Sequence, residues 1–436
     1  MARVLPLACL LVATSLASSA EAAPGPLDEA MLVGRDAASF PPADEDYFKG
    51  MDNGLELTPE EVMGRNMWMV WTGGNDLFWD RITNDTFGQF DLLKTLSSHP
   101  DLPARRSNRF DQLGLINEPC FTEATGPDPD HYGLWLDRRT DDCAPDPFAD
   151  AEKYPGVEIG ARGRNMPVGS YYGEPTGVLG LRLFPNPDFD ERAERAWDPE
   201  RFYNDPDYYL SKELVRPYRV GMSCAFCHVG PSPTNPPADP ENPAMENLNA
   251  TVGAQYFWFD RIFAWQPDER QYMVQLIHPA RPGTLDTSLV SSDYINNPRT
   301  MNAVYLLGER MQNALRLGEE RLTGGELDNK QFDDFLDDGP LTAFFEEPNL
   351  SYSPRVLKDA ADSVGALGAL NRVYLNIGLF SEEWTRHFNP IVGGRTITPI
   401  EIKTAQENSA YWQATEQQTP YMALYFLRAG RPDYLA

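Results

Sequence analysis

In 436 residues the chain carries 65 Asp and Glu against 37 Lys and Arg, a formal charge of −28 with the acidic residues scattered along its length. That balance excludes nucleic acid and an anionic membrane surface as partners, since both need basic patches, and it fits a neutral or basic partner or plain solubility. The length exceeds one small domain, so two or more lobes, or one core with a large extension, are expected.

Residues 1–23 read as a secretory signal. Arg3 gives the positive start, Leu5 to Leu16 a mainly apolar run, and Ser18-Ser19-Ala20 or Ala20-Glu21-Ala22 a small-residue cleavage site. The mature chain is therefore expected to be periplasmic or secreted, and Cys9 leaves with the signal. No other stretch holds ~18 uninterrupted apolar residues, so no membrane insertion of the mature chain is expected. Residues 24–57, with Pro24, Pro26, Pro41 and Pro42, read as a poorly ordered lead-in.

An N-terminal lobe is expected over 58–215. It opens on Thr58-Pro59-Glu60-Glu61, a capping box with Pro at the first helical position, and this helix ends near Thr72-Gly73-Gly74. Asn75 to Leu96 is dense in large apolar side chains and reads as core. Asp101 to Asp207 is irregular and rich in Pro, Gly and Asp, with a short apolar run from Val178 to Phe184 that suggests strand. Cys120 and Cys143 lie in this lobe. In an oxidising compartment they form a disulfide or stand as two thiols, the bridge being favoured because isolated thiols seldom persist there.

The most specific signal is Cys224-Ala225-Phe226-Cys227-His228. Two thiols three positions apart can each add to one vinyl group of a haem, and the following histidine can then ligate the iron. With only five Cys and five His in the chain, chance is a poor source of this pattern. A redox dithiol would sit at the end of a strand in a βαβ unit, and the apolar alternation of such a strand is missing in Val215 to Val220. A structural zinc site would need a second close pair of Cys or His. The reading is one haem c, covalently attached through Cys224 and Cys227, with His228 on the metal.

After the motif, Gly230-Pro231 opens a Pro-rich passage to Pro243, expected as an irregular loop over one haem face, with a carbonyl near Pro231 accepting the free N–H of the histidine. Asn249 to Phe263 reads as a buried aromatic helix. Tyr294 to Leu307, Met311 to Leu317 and Ala360 to Leu375 read as helices, and Thr398-Pro399 and Thr419-Pro420 as the starts of two more. Function turns on the sixth iron position, because a haem with two protein ligands is usually a carrier and one with an open site does chemistry. His387, on one helical face with Trp384 and followed by Phe388, is the first candidate. His278, Met301 and an open site are the others. His99, before Pro100, and His131, in the acidic loop region, read as surface residues.

The motif, with a closing helix at Ala423-Leu424-Tyr425-Phe426-Leu427, looks like the class I cytochrome c arrangement. Asn297-Pro298-Arg299-Thr300-Met301-Asn302-Ala303-Val304 resembles the segment that follows a haem motif in bacterial dihaem cytochrome c peroxidases. Residues 216–436, including Ala361-Asp362-Ser363-Val364-Gly365 and His387, are similar to the cytochrome-like part of secreted dihaem rubber oxygenases. In those oxygenases one haem reacts with oxygen and the other is held by two histidines. By position, the resemblance implies that His228 and His387 hold the second, electron-transfer haem. This chain departs in having a single Cys-x-x-Cys-His, and it reads Trp71-Thr72-Gly73-Gly74-Asn75 where an N-terminal haem motif would stand.

Together these observations predict a mainly α protein: a cytochrome c-like haem domain over 216–436 with a large loop-rich N-terminal lobe. The expected function is one-electron transfer with a redox partner protein. The alternative is a haem peroxidase or oxygenase with an open iron site. Arg219 is expected either to pair a haem propionate or to lie on the surface.

Overall fold

The capping box at Thr58 starts the first long helix as its sequence requires. Thr58 Oγ1 accepts the Glu61 N–H at 3.3 Å and Glu61 Oε2 accepts the Thr58 N–H at 2.8 Å, satisfying donors that the helix leaves open. In the computed structural model the described residues are 27–86, 88–250, 256–263, 319–321, 352–354 and 407–429. The helix α1 (Pro59–Val70) is buried at Val62 and from Gly64 to Val70, a run too long for one helical face, so it lies inside the molecule.

Beyond α2 (Asp76–Asp85) the chain enters short ladders. β1 (Glu174–Pro175), β2 (Leu181–Pro185) and β3 (Tyr218–Met222) form an antiparallel sheet in that order, with Leu181 opposite Met222 and Pro185 opposite Tyr218. Every residue of β2 and β3 is buried. Both faces are covered, so the period-two alternation of a half-exposed strand never develops in the sequence. β3 runs directly into the motif helix α3 (Ala225–His228), which leads to β4 (Gly230–Pro231), paired antiparallel with β5 (Leu248–Asn249).

The last described element, α4 (Ala410–Ala429), packs along α1. Gly64 is what lets them touch, since a Cβ there would stand 2.0 Å from the Tyr421 carbonyl oxygen. Asp28 fixes the start of α4: its Oδ2 accepts the Ser409 hydroxyl at 2.8 Å and the Tyr411 N–H at 2.9 Å. Trp71 Nε1 donates to Thr415 Oγ1 at 2.9 Å, tying the C-terminal end of α1 to the same helix.

The structure corrects the mainly α expectation. Of the described residues 39% are helical and 12% are in strands, with several small antiparallel sheets, so the class is mixed α/β. Residues 27–57, expected as a poorly ordered lead-in, carry Ala30, Phe40, Phe48 and Met51 into the core. Their prolines make the backbone irregular, but side chains from later in the chain hold it: Tyr172 Oη accepts the Ala43 N–H at 2.9 Å, and Asn66 Nδ2 donates to the Ala43 and Glu45 carbonyls, each at 2.9 Å. Of the span Asn249 to Phe263, expected as an aromatic helix, Asn249 ends the strand Leu248–Asn249, and among the described residues the helical part is Phe259–Phe263. Pro420 lies inside α4 instead of starting a helix. Cys120 and Cys143 are joined in a disulfide beside the pairing of Phe121–Thr122 with Arg138–Arg139. The two apolar clusters of the core each draw residues from both sides of position 215.

Candidate haem-attachment site

Cys224 is the residue at which the backbone turns helical, with φ −61° and ψ −30°. The His228 N–H then donates to the Cys224 carbonyl at 3.2 Å and the Val229 N–H to the Ala225 carbonyl at 3.0 Å. Residues i, i+3 and i+4 of a helical turn share a face, so Cys224, Cys227 and His228 are presented together. Ala225 and Phe226 enter the two apolar clusters, one each, and the half-buried Cys224 and Cys227 pack against the same two. The helix is therefore held by its middle.

Three contacts from distant sequence fix where this turn sits. Asn75 uses its amide as a continuation of the β3 ladder, accepting the Met222 N–H at 2.9 Å and donating to the Met222 carbonyl at 2.6 Å. Ser223 donates its hydroxyl to the Met69 carbonyl at 2.7 Å and its N–H to the Gly180 carbonyl at 2.8 Å. Gly180, at φ +80°, lies so close to α3 that a Cβ on it would stand 2.0 Å from the Phe226 nitrogen. The imidazole of His228, 5% exposed, packs against the ring of Trp68 at 5.0 Å between centroids and 51° between planes.

Burial, then the neighbouring Cys224, pushes the Cys227 thiol up to about 12. A dithiol built for exchange needs the opposite, a thiolate at neutral pH. A strand does precede the motif, contrary to the reading of Val215 to Val220, but it belongs to an antiparallel sheet and not to a βαβ unit. Among the described residues no three His, Cys, Asp or Glu side chains converge as ligands of one metal ion. The donor set of the motif fits haem: two cysteines and one histidine at positions i, i+3 and i+4 of one helical turn.

His387, His278 and Met301 lie outside the described residues. His99 is buried, contrary to expectation, stacked on Tyr203 at 4.3 Å with its Nδ1 accepting the Asp101 N–H at 3.2 Å. His131 is half-buried between Asp128 Oδ2 at 3.1 Å and Glu174 Oε2 at 3.2 Å. Arg219 is not a surface residue. It is buried in β3, with Nη1 on Glu29 Oε1 at 2.8 Å and Nη2 on Asp188 Oδ2 at 2.6 Å. Pro231, expected in an irregular loop, pairs with Leu248 in the β4–β5 ladder. Sequence reading passed over Asn75, Gly180 and Trp68 as parts of the site. Trp68 alone left a local trace, three positions before Trp71 on one face of a long helix.

The chain matches no protein-family model, and no curated protein or solved structure matches it.

Proposed function

We propose that this chain is an exported c-type cytochrome that carries one covalently attached haem and passes single electrons to or from a partner protein. The observation that supports it most is the common face of Cys224, Cys227 and His228 on α3. Haem supplies reversible one-electron chemistry at its iron when bound. Cys224 and Cys227 would each add across one vinyl group, the sulfur bonding one carbon and the thiol hydrogen passing to the other, so no oxidant is consumed. The protonated state of Cys227 suits that addition. His228 would hold the iron through an imidazole nitrogen. Trp68, packed on its ring, holds the ring plane and keeps water from that side. His387, ahead of His278 and Met301, is the residue proposed to hold the iron together with His228. The charge of −28 favours a neutral or basic redox partner, and the signal-like pattern of residues 1–23 supports a periplasmic or secreted location.

Absorption spectra of oxidised and reduced protein, matured in a host that attaches haem c, test this reading together with a pyridine assay of haem content. One haem per chain and a low-spin spectrum indifferent to carbon monoxide are expected, with covalent attachment lost in a Cys224→Ala, Cys227→Ala double variant. A high-spin ferric form that binds carbon monoxide would move the assignment to a peroxidase or oxygenase. Protein matured without haem would end it.

A further inference from the structure

At Gly50 and again from Asp52 to Gly54 the backbone is left-handed. Gly50 has φ +102°, Asp52 φ +56° and ψ +43°, Asn53 φ +60° and ψ +31°, and Gly54 φ +71°. Consecutive non-glycine residues in this region cost about 1–2 kcal/mol each, and Asp and Asn are among the few side chains that tolerate it. Such strain persists only where surrounding contacts hold it. Here they lead to the ladder that leaves the motif.

Asp52, 2% exposed, accepts the Ala250 N–H on Oδ1 at 2.8 Å and the Tyr425 hydroxyl on Oδ2 at 2.5 Å. Asn53 Oδ1 accepts the Thr234 hydroxyl at 2.8 Å and the Ser232 hydroxyl at 3.1 Å. Ser232 follows β4 and Ala250 follows β5, and since the strands are antiparallel the turn holds the ladder at both of its ends, the Ala250 end beside Gly230. The Ser232 N–H, donated to the Asn247 carbonyl at 2.6 Å, closes the grip. Only Val229 separates His228 from β4.

We infer that the left-handed turn at Asp52 and Asn53 positions the chain leaving His228 and, through it, sets how the axial imidazole is held. Asp52 and Asn53 are positioning residues in this scheme, and the inference rests on the haem reading above. Asn53→Gly separates positioning from mere stability, because glycine relieves the strained φ while removing the acceptor for Ser232 and Thr234. The expected result, in matured protein, is a changed haem midpoint potential together with hydrogen exchange of the Ser232 amide faster by roughly tenfold, the scale of two lost side-chain hydrogen bonds. Asn53→Asp, which keeps the acceptor and tolerates the turn, should restore both. Unchanged potential in Asn53→Gly overturns the inference whether or not exchange changes, since the turn is then a structural clasp. Failure of Asn53→Asp to rescue overturns it too. Absence of haem from the unmodified protein overturns the haem reading and the inference with it, and so is distinguished from a haem-loaded pair of equal potential.

Discussion

Single residues set the motif's position more than the motif does. Gly180 is the sharpest case, because its positive φ and its approach to the Phe226 nitrogen each require a residue without Cβ. Gly180→Ala should lower stability by about 3 kcal/mol, the strained backbone and the overlap adding. On the haem reading proposed above, it should also reduce the haem attached per chain, because relief of the overlap would shift α3 away from β2. Thermal unfolding and pyridine assay check the two effects, and a variant as stable and as loaded as the unmodified chain would show that α3 is not held there. At this scale the sequence was legible where the interaction is local. Thr58 and Glu61 stand three apart and read as a capping box. The cysteines and His228 fall within five residues, so the turn that groups them could be read from their spacing. Asn75, by contrast, meets Met222 across 147 positions, and nothing near either residue signals the other. Arg219 misled for a related reason: its partner Glu29 lies 190 positions away, so its charge read as exposure.

At the scale of elements, packing overrode local preference in both directions. Pro420 marks a helix start by its chemistry, yet α4 carries it in the interior, with Thr419 Oγ1 donating to the Thr415 carbonyl at 2.8 Å and α1 packed alongside. β3 escaped notice because both of its faces are covered and its buried arginine broke the apolar pattern. The contact of α1 with α4 puts the same competition to a test. By helix propensity alone, Gly64→Ala would stabilise α1 by about 1 kcal/mol. The new Cβ, however, would lie 2.0 Å from the Tyr421 carbonyl oxygen, and forcing two helix backbones apart costs about 1–3 kcal/mol or more. The overlap wins, so Gly64→Ala is expected to lower the midpoint of chemical unfolding. An increase would mean that the helices separate at little cost and that α4 contributes little to holding α1.

Over the whole molecule, buried ionisable groups make stability depend on pH in two opposing ways. Burial pushes Glu118 up to about 7, with Asp146 adding to the rise and Arg182 and Arg139 opposing it. Burial likewise pushes Asp76 up to about 6 against the pull of Arg162. Lys94 moves the other way, down to about 7, because burial outweighs the attraction of Asp91, and its ammonium lies 3.0 Å from the centroid of the Tyr209 ring. Across the acid window the folded chain holds protons that the unfolded chain has lost. The contribution of Glu118 is therefore fully present below its ordinary value of 4.5 and is lost as pH rises through about 7. For Lys94 the unfolded chain holds the proton, so its contribution falls away as pH drops from 10.5 through about 7. The two penalties meet near neutrality. Urea unfolding of the unmodified chain, Glu118→Gln and Lys94→Met from pH 5 to 10 should resolve them. The unmodified chain should lose ground to Glu118→Gln up to about pH 7 and run parallel to it above. Against Lys94→Met it should gain ground from about pH 7 upward. Curves parallel throughout would mean that water or rearrangement relieves the burial, and that the interior around Lys94 and Glu118 is wetter than its packing implies.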